Sequence, residues 1–469
     1  MKAQKIFSFL LAAVFIASSF SVSVSAGGIG ACTHMAHGRG QAQTCSAAVN
    51  ANLPIIRDEV NWRTVESVKG QLSLPSPASW IEPAAESGMK CLVVLSFGNP
   101  VYDFGRPSQA DLDAGGAWDC IMPVRDGSAE TTADDEYFDA YIRYVDFVSK
   151  AFAGKVEAYE IWNEPDIKYF NSHDATGADY AELLKAAYQT IKQNDPDVTV
   201  LGGSIAYRLD FIDEMMQAGA GEYMDGLSVH YYLFKNAPEK RARQRLDEYR
   251  DVLVKYGYDK MPVWLTETGW AISNVDEQTQ AEFIVRNAIF YDEFLLDYGI
   301  DGQYFTYELQ DSSITSDVLG GQDYENSLGL YKSDLTPKVS AGAVKTFNSL
   351  TEGKKLTALE QTRFGLFYQK SAYVATYRQS GKTVYAVWSE SPFDLEITLP
   401  DTQITVYDMQ GNIIEENATG GVKRIAASPS PVYIAFDSDP VEPGQNFIQK
   451  IVSFFRHILN VIINGFVGW

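Results

Sequence analysis

Between residues 27 and 350 the sequence alternates eight times between a short apolar run and a stretch with helical periodicity. The apolar runs are 27–34 (GGIGACTH), 53–58 (LPIIRD), 89–97 (MKCLVVLSF), 156–163 (VEAYEIWN), 198–203 (VTVLGG), 225–231 (DGLSVHY), 262–266 (PVWLT) and 301–306 (DGQYFT). Residues 138–152 place Phe138, Tyr141, Ile142, Val145, Val148 and Phe152 on one helical face. Residues 178–194 do the same with Tyr180, Leu183, Leu184, Ala187 and Ile191, and stop at Asn-Asp-Pro-Asp. Further helical patterns fall near 42–51, 78–87, 208–218, 238–256, 277–297 and 336–350. Near-continuously apolar strands separated by helices imply a parallel sheet covered on both faces. Eight such units suit a closed (β/α)8 TIM barrel better than an open doubly wound sheet, and no GxGxxG follows the first run. The stretch 98–133, with Gly, Pro, Asp and Ser and little periodicity, reads as an enlarged loop after the third strand, on the face where barrels bind ligands.

The pattern changes near residue 353. Short alternating segments such as "AYVATYRQ", "TVYAVWSE" and "PVYIAFD", separated by turn residues, predict a C-terminal antiparallel β-sandwich over 353–440. Residues 441–469 read as a linker followed by an amphipathic helix, with Ile448, Ile451, Val452, Phe455, Leu459, Ile462 and Phe466 on one face. Two readings of that helix stand: it lies in a membrane or cell-surface interface, or it packs on the protein's own domains. At the other end, Lys2 and Lys5 precede an apolar run, and Val24-Ser25-Ala26 supplies small residues for cleavage. Residues 1–26 therefore predict a signal peptide and an extracellular protein. With 61 acidic against 38 basic residues the net charge is −23, which argues against nucleic acid or anionic lipid as a partner and suits a neutral polysaccharide. Four cysteines, at 32, 45, 91 and 120, form no CxxC pair. Disulfides and buried free thiols both fit them.

The catalytic signal is "AYEIWNEPDI", residues 158–167, where a strand closes on an amide, a carboxylate and a proline. Cleaving a glycosidic bond with retention needs two carboxyl groups about 5 Å apart across the sugar. In a parallel barrel the strand ends converge on one mouth, so the pair should be distant in sequence with each member just past a strand. Glu164, after the fourth strand, and Glu267, in "VWLTETGW" after the seventh, meet that requirement.

"EIWNEP" and "LTETGW" resemble the two signatures of the clan A glycoside hydrolases, retaining (β/α)8 enzymes, and the wider match is most similar to the family 39, β-xylosidase-like branch. "IIRDEVNW" with "VESVKGQ", "SFGNPVYD", "LSVHYY" and "YFTYELQD" resemble its second-, third-, sixth- and eighth-strand blocks. The likeness spans residues 28–350. It implies a β-glycosidase acting on polysaccharide or oligosaccharide without a cofactor, with Glu164 as acid/base and Glu267 as nucleophile. It further implies that Asn163 bonds the sugar 2-hydroxyl, that Arg57 lies beside Glu267, and that His230 and Tyr232 supply the His-x-Tyr, with Tyr232 directed at the nucleophile.

Where many clan members carry Trp in the eighth strand, this chain has "FTYE", leaving Tyr307 or Phe305 as the floor for the sugar. Trp62, Tyr102, Trp118, Trp162 and Trp270 are candidate stacking platforms, Trp162 being better suited to the core. Each catalytic assignment has a plainer rival. Glu164 could cap the next segment, Arg57 could close a core ion pair, His230 could be a satisfied core imidazole, and Glu308 could stand in as a catalytic carboxylate. Glu157 and Glu160 read as structural, and His34 and His37 as cleft residues or bystanders. Five histidines without HExxH argue against a catalytic metal. A non-catalytic carbohydrate-binding barrel is the alternative function.

Overall fold

Eight short parallel strands, each almost wholly buried, close on themselves: β1 (Ile29–Cys32), β2 (Ile55–Glu59), β3 (Lys90–Leu95), β4 (Ala158–Ile161), β5 (Thr199–Ile205), β6 (Gly226–His230), β7 (Val263–Glu267) and β8 (Tyr304–Thr306). β8 pairs back onto β1, Ile29 opposite Tyr304, which leaves the barrel without an edge. This computed structural model describes residues 28–74, 79–125, 133–313, 321–365 and 369–440. The expected signal peptide and C-terminal amphipathic helix lie outside those residues. Among the described residues no helix is long and apolar enough to cross a membrane.

Ile55, Leu92, Val94, Ala158, Leu201 and Phe305 fill the barrel interior. The outer faces of the strands pack on the helices whose apolar stripes the periodicity predicted, among them Ala133–Ala151, Gly177–Asn194, Pro238–Lys255 and Glu277–Tyr298. Helix 177–194 starts at a reciprocal cap, Thr176 with Asp179. Helix 277–298 starts on Asp276 and ends on Gly299, whose left-handed φ of 57° a glycine adopts without strain. The long segment after β3 contains a helical turn, Gln109–Asp113, and is tied back by Gly98 N–H to Asp119 O and by Ala117 N–H to Tyr169 O.

Beyond the last barrel helix, Val339–Thr351, six antiparallel strands follow: β9 (Lys355–Phe364), β10 (Lys370–Gln379), β11 (Lys382–Ser389), β12 (Phe393–Tyr407), β13 (Ile413–Ala427) and β14 (Val432–Phe436). Their order is β13-β12-β14-β11-β10-β9. One face, carrying Tyr373, Ala375, Tyr377, Ala386, Trp388 and Tyr433, merges with the barrel's helical core. The opposite face, with Ala372, Tyr385 and Val387, packs on Leu395, Ile397 and Leu399 of β12. The pairing of β12 with β13 breaks register between Leu399 and Gln403, so both layers of the sandwich are cut from one bent sheet. All four cysteines are buried free thiols, which resolves the alternative left open by their spacing.

Candidate active site

The β4 segment answers the question posed by its sequence. In a regular strand successive side chains alternate, so Asn163 and Glu164 could not both face the barrel mouth. Here β4 ends at Ile161, and both Trp162 (φ 68°) and Glu164 (φ 45°) adopt left-handed backbone, which breaks the alternation. The Trp162 indole is buried and donates to Phe170 O, as suits a core residue, while the next two side chains reach the polar groups of the mouth. The kink is clamped by the neighbouring strand, because Glu164 N–H donates to Ser204 O at 3.1 Å.

Glu164 and Glu267 meet there. Their facing carboxylate oxygens, and a ring nitrogen of His230, all lie within 4.8 Å of one another. So close an approach fits the retaining geometry, roughly 5–5.5 Å between carboxyl groups, better than the wider gap of an inverting pair. The two groups have different surroundings. Glu267 Oε1 accepts from Arg57 Nη1 at 2.6 Å and its Oε2 from the Tyr232 hydroxyl at 2.9 Å. Glu164 Oε1 instead faces His230 Nδ1 at 2.8 Å. Burial pushes the Glu164 carboxyl up to about 6, the negative Glu267 adds to the rise, and the His230 contact pulls the other way.

Arg57 organises the floor. Its Nε donates to Glu160 Oε2 at 2.7 Å and its Nη2 to Asn163 Oδ1 at 2.9 Å. Burial opposes its charge, but Glu160 and Glu267 together hold the guanidinium well above its ordinary value. Because Asn163 Oδ1 also accepts from Ser204 Oγ, the amide nitrogen is left for another partner. The far side of His230 is fixed as well: Nε2 lies 3.1 Å from Thr266 Oγ1, whose own proton goes to Glu160 Oε1 at 2.8 Å. The threonine oxygen can therefore only accept from the ring, so Nε2 carries a hydrogen. Nδ1 is then protonated only in the imidazolium, and a single proton is shared between Glu164 and His230. Against the desolvation that would lower it, Glu267 and Glu164 raise the imidazole's pKa.

Tyr307 is half-buried at the rim, edge-on to His34 at 5.2 Å and to Tyr232 at 6.4 Å. Phe305 lies inside the barrel, stacked on Trp264, which removes it as a floor for the sugar. Three other expectations need correction. Trp62 and Tyr102 are buried in an aromatic cluster with Tyr137, and both donate to the Glu66 carboxylate. Trp270 is buried with its indole on Asn236 O. Each polar tip is satisfied inside the protein and no ring face is free to stack on a sugar. Glu308 is bound by Arg39 and Ser312 and, chiefly through burial, is raised to about 7. Glu157 pairs with Lys90 at the far end of β4. His37 contacts Glu59 at 2.5 Å, with His34 beside them.

Sequence reasoning missed four contributors. Ser204, left-handed at φ 51° near the end of β5, and Thr266 of β7 are small hydroxyls without a motif, and Asp166 works through the backbone of the next loop. Glu325 carries no motif; burial first, then Glu308, Glu267 and Glu164, raise its carboxyl to about 8.

The sequence profile of the glycosyl hydrolases of family 39 matches residues 143–390, more than half of the chain and inclusive of both carboxylates. The chain belongs to family 39. This glycoside hydrolase is accordingly a retaining enzyme with a carbohydrate substrate, as is general for the clan, and the purely binding alternative falls away. No curated protein matches the sequence. Among solved structures, a family 39 glycoside hydrolase from Bacteroides cellulosilyticus superposes with TM-score 0.69 at 22% identity, over 87% of this chain and 80% of that one. A family 39 β-xylosidase from Caulobacter crescentus gives 0.58 at 16%, over 88% and 96%. A family 30 endoxylanase from Clostridium papyrosolvens gives 0.60 at 14%, over 89% and 98%. At these identities the likeness carries the barrel-plus-sandwich fold of this family 39 enzyme and not its substrate.

Proposed function

We propose that this family 39 enzyme is an exported β-glycosidase that hydrolyses polysaccharide or oligosaccharide by double displacement, with Glu164 as acid/base and Glu267 as nucleophile. The asymmetry of the two facing carboxyls carries the reading. One accepts hydrogen bonds from a guanidinium and a phenol, and the other has a pKa raised to about 6 by burial. In the first step Glu267 attacks the anomeric carbon while Glu164 gives its proton to the departing glycosidic oxygen. In the second, Glu164 takes a proton from water, and the resulting hydroxide displaces Glu267 with net retention. Asn163, its oxygen occupied by Arg57 and Ser204, has its amide nitrogen to donate to the 2-hydroxyl, and Tyr307 offers the sugar an aromatic surface.

Incubation with a panel of polysaccharides and aryl glycosides, followed by NMR of the first-formed anomer, tests the proposal. A β-product from a β-substrate supports it, and an α-product or an inert protein refutes it. Export rests on residues 1–26, and a secreted chain beginning at Gly27 is the expected mass-spectrometric result.

A further inference from the structure

We infer that Tyr207 and Phe234 form a platform for the leaving-group sugar, so that the bond cleaved joins two sugar rings rather than a sugar to a small aglycone. The inference rests on the reading of Glu164 as the acid, since the leaving group must depart on the side from which it is protonated.

Aromatic rings in this barrel are mostly buried, yet Tyr207 is 58% and Phe234 52% exposed. They sit on the loops that follow β5 and β6, the two strands after the one that carries Glu164. Trp118, 55% exposed on the β3 loop, already has the Arg63 guanidinium 4.8 Å above its ring.

The backbone of Tyr207 and the ring of Phe234 are each tied to the catalytic pair. Asp166, two residues past Glu164, accepts the backbone N–H groups of Ala206, Tyr207 and Arg208, each at 3.0 Å. One rigid segment thus holds both the acid and the base of the Tyr207 loop. Phe234 has φ 55°, a costly backbone for a bulky side chain. Its ring packs 5.6 Å from Tyr324, which lies 6.4 Å from Tyr232, the phenol bonded to Glu267. A half-exposed ring on a strained backbone contributes less to folding than a buried one, and its free face is available for binding. Sugar C–H faces pack on aromatic rings, and binding of a remote sugar raises the rate only through a platform held rigidly against the acid.

The test compares kcat/KM for an oligosaccharide substrate with that for the glycosyl fluoride of the same glycone, whose leaving group has no ring. Tyr207→Ala and Phe234→Ala should each lower the oligosaccharide-to-fluoride ratio about tenfold, as loss of one ring contact implies. Tyr207→Trp should restore it. Glu164→Gln lowers the same ratio, but it also abolishes the ionisation near pH 6, which Tyr207→Ala should retain. An unchanged ratio in both alanine variants overturns the platform, as does loss of that ionisation in Tyr207→Ala. A wild-type protein that turns over the fluoride but no oligosaccharide overturns the platform alone. Inertness toward both overturns the proposed function with it.

Discussion

His230 Nδ1 lies 2.8 Å from Glu164 Oε1 and 3.7 Å from Glu267 Oε2, so one imidazole touches both carboxyls across which the sugar must lie. With Nε2 fixed as a donor by Thr266, its other nitrogen shares a proton with Glu164 and lowers that group's pKa, while Glu267 and burial raise it.

Replacing His230 by Phe removes the one contact that pulls Glu164 down. In its proposed role as the acid, Glu164 acts only while protonated, so activity should be lost as pH rises through its pKa. The alkaline limb of the kcat/KM profile should therefore move to higher pH in His230→Phe. A limb that moved to lower pH would contradict the assigned electrostatics.

Glu164→Gln should lower kcat on the natural oligosaccharide by roughly 10²–10⁴-fold. A glycosyl fluoride, whose departure needs little protonation, should suffer far less, and in Glu164→Ala, which vacates the space of the lost base, added azide should speed turnover of the fluoride. Equal losses on both substrates would remove Glu164 from the acid role.

Arg57 serves two buried carboxylates at once, Glu160 and Glu267. Arg57→Met leaves both unpaired and should cost about 3–5 kcal/mol of stability, read as a lower urea midpoint. Adding Glu267→Gln removes one stranded charge, so the double variant should lose less than the sum of the single losses. Strict additivity would show that the two side chains do not interact.

Asp292, on the barrel helix 277–298, accepts from the Tyr377 hydroxyl of β10 at 2.7 Å, and burial raises its carboxyl from 3.8 to about 7. The folded state thus holds the proton more tightly than the unfolded chain. This contribution is fully present below about pH 4 and is lost as pH rises toward 7. Asp292→Asn, which stays neutral, should flatten the pH dependence of the denaturation midpoint across that window and be the more stable protein at pH 8. A variant less stable than wild type at pH 8 would exclude this account.

The barrel was legible because most strands are largely apolar and helices such as 133–151 and 177–194 carry one apolar stripe, two periods that survive in sequence without tertiary context. The carboxylate pair was legible because strand ends far apart in sequence converge on one mouth, where Glu267 closes β7 and Glu164 lies three residues past β4. Aromatic roles were not. Trp62, Tyr102 and Trp270 look like platforms in sequence, but burial depends on what packs over them, here Tyr137 and Glu66 for the first two. The supports of His230 were equally hidden, since no motif marks Ser204, whose Oγ lies 3.2 Å from Nε2, or Thr266, 3.1 Å from the same atom. The left-handed turn at Trp162 and Glu164 is a backbone property that no residue type there announces, because neither is glycine.

Covalent trapping tests the central claim most directly. Incubation with an activated 2-deoxy-2-fluoro glycoside, followed by peptide mass spectrometry, should place one glycosyl adduct per chain on Glu267, and Glu267→Gln should give none. An adduct on Glu164, Glu308 or Glu325 instead, or time-dependent inactivation that persists in Glu267→Gln, would contradict it.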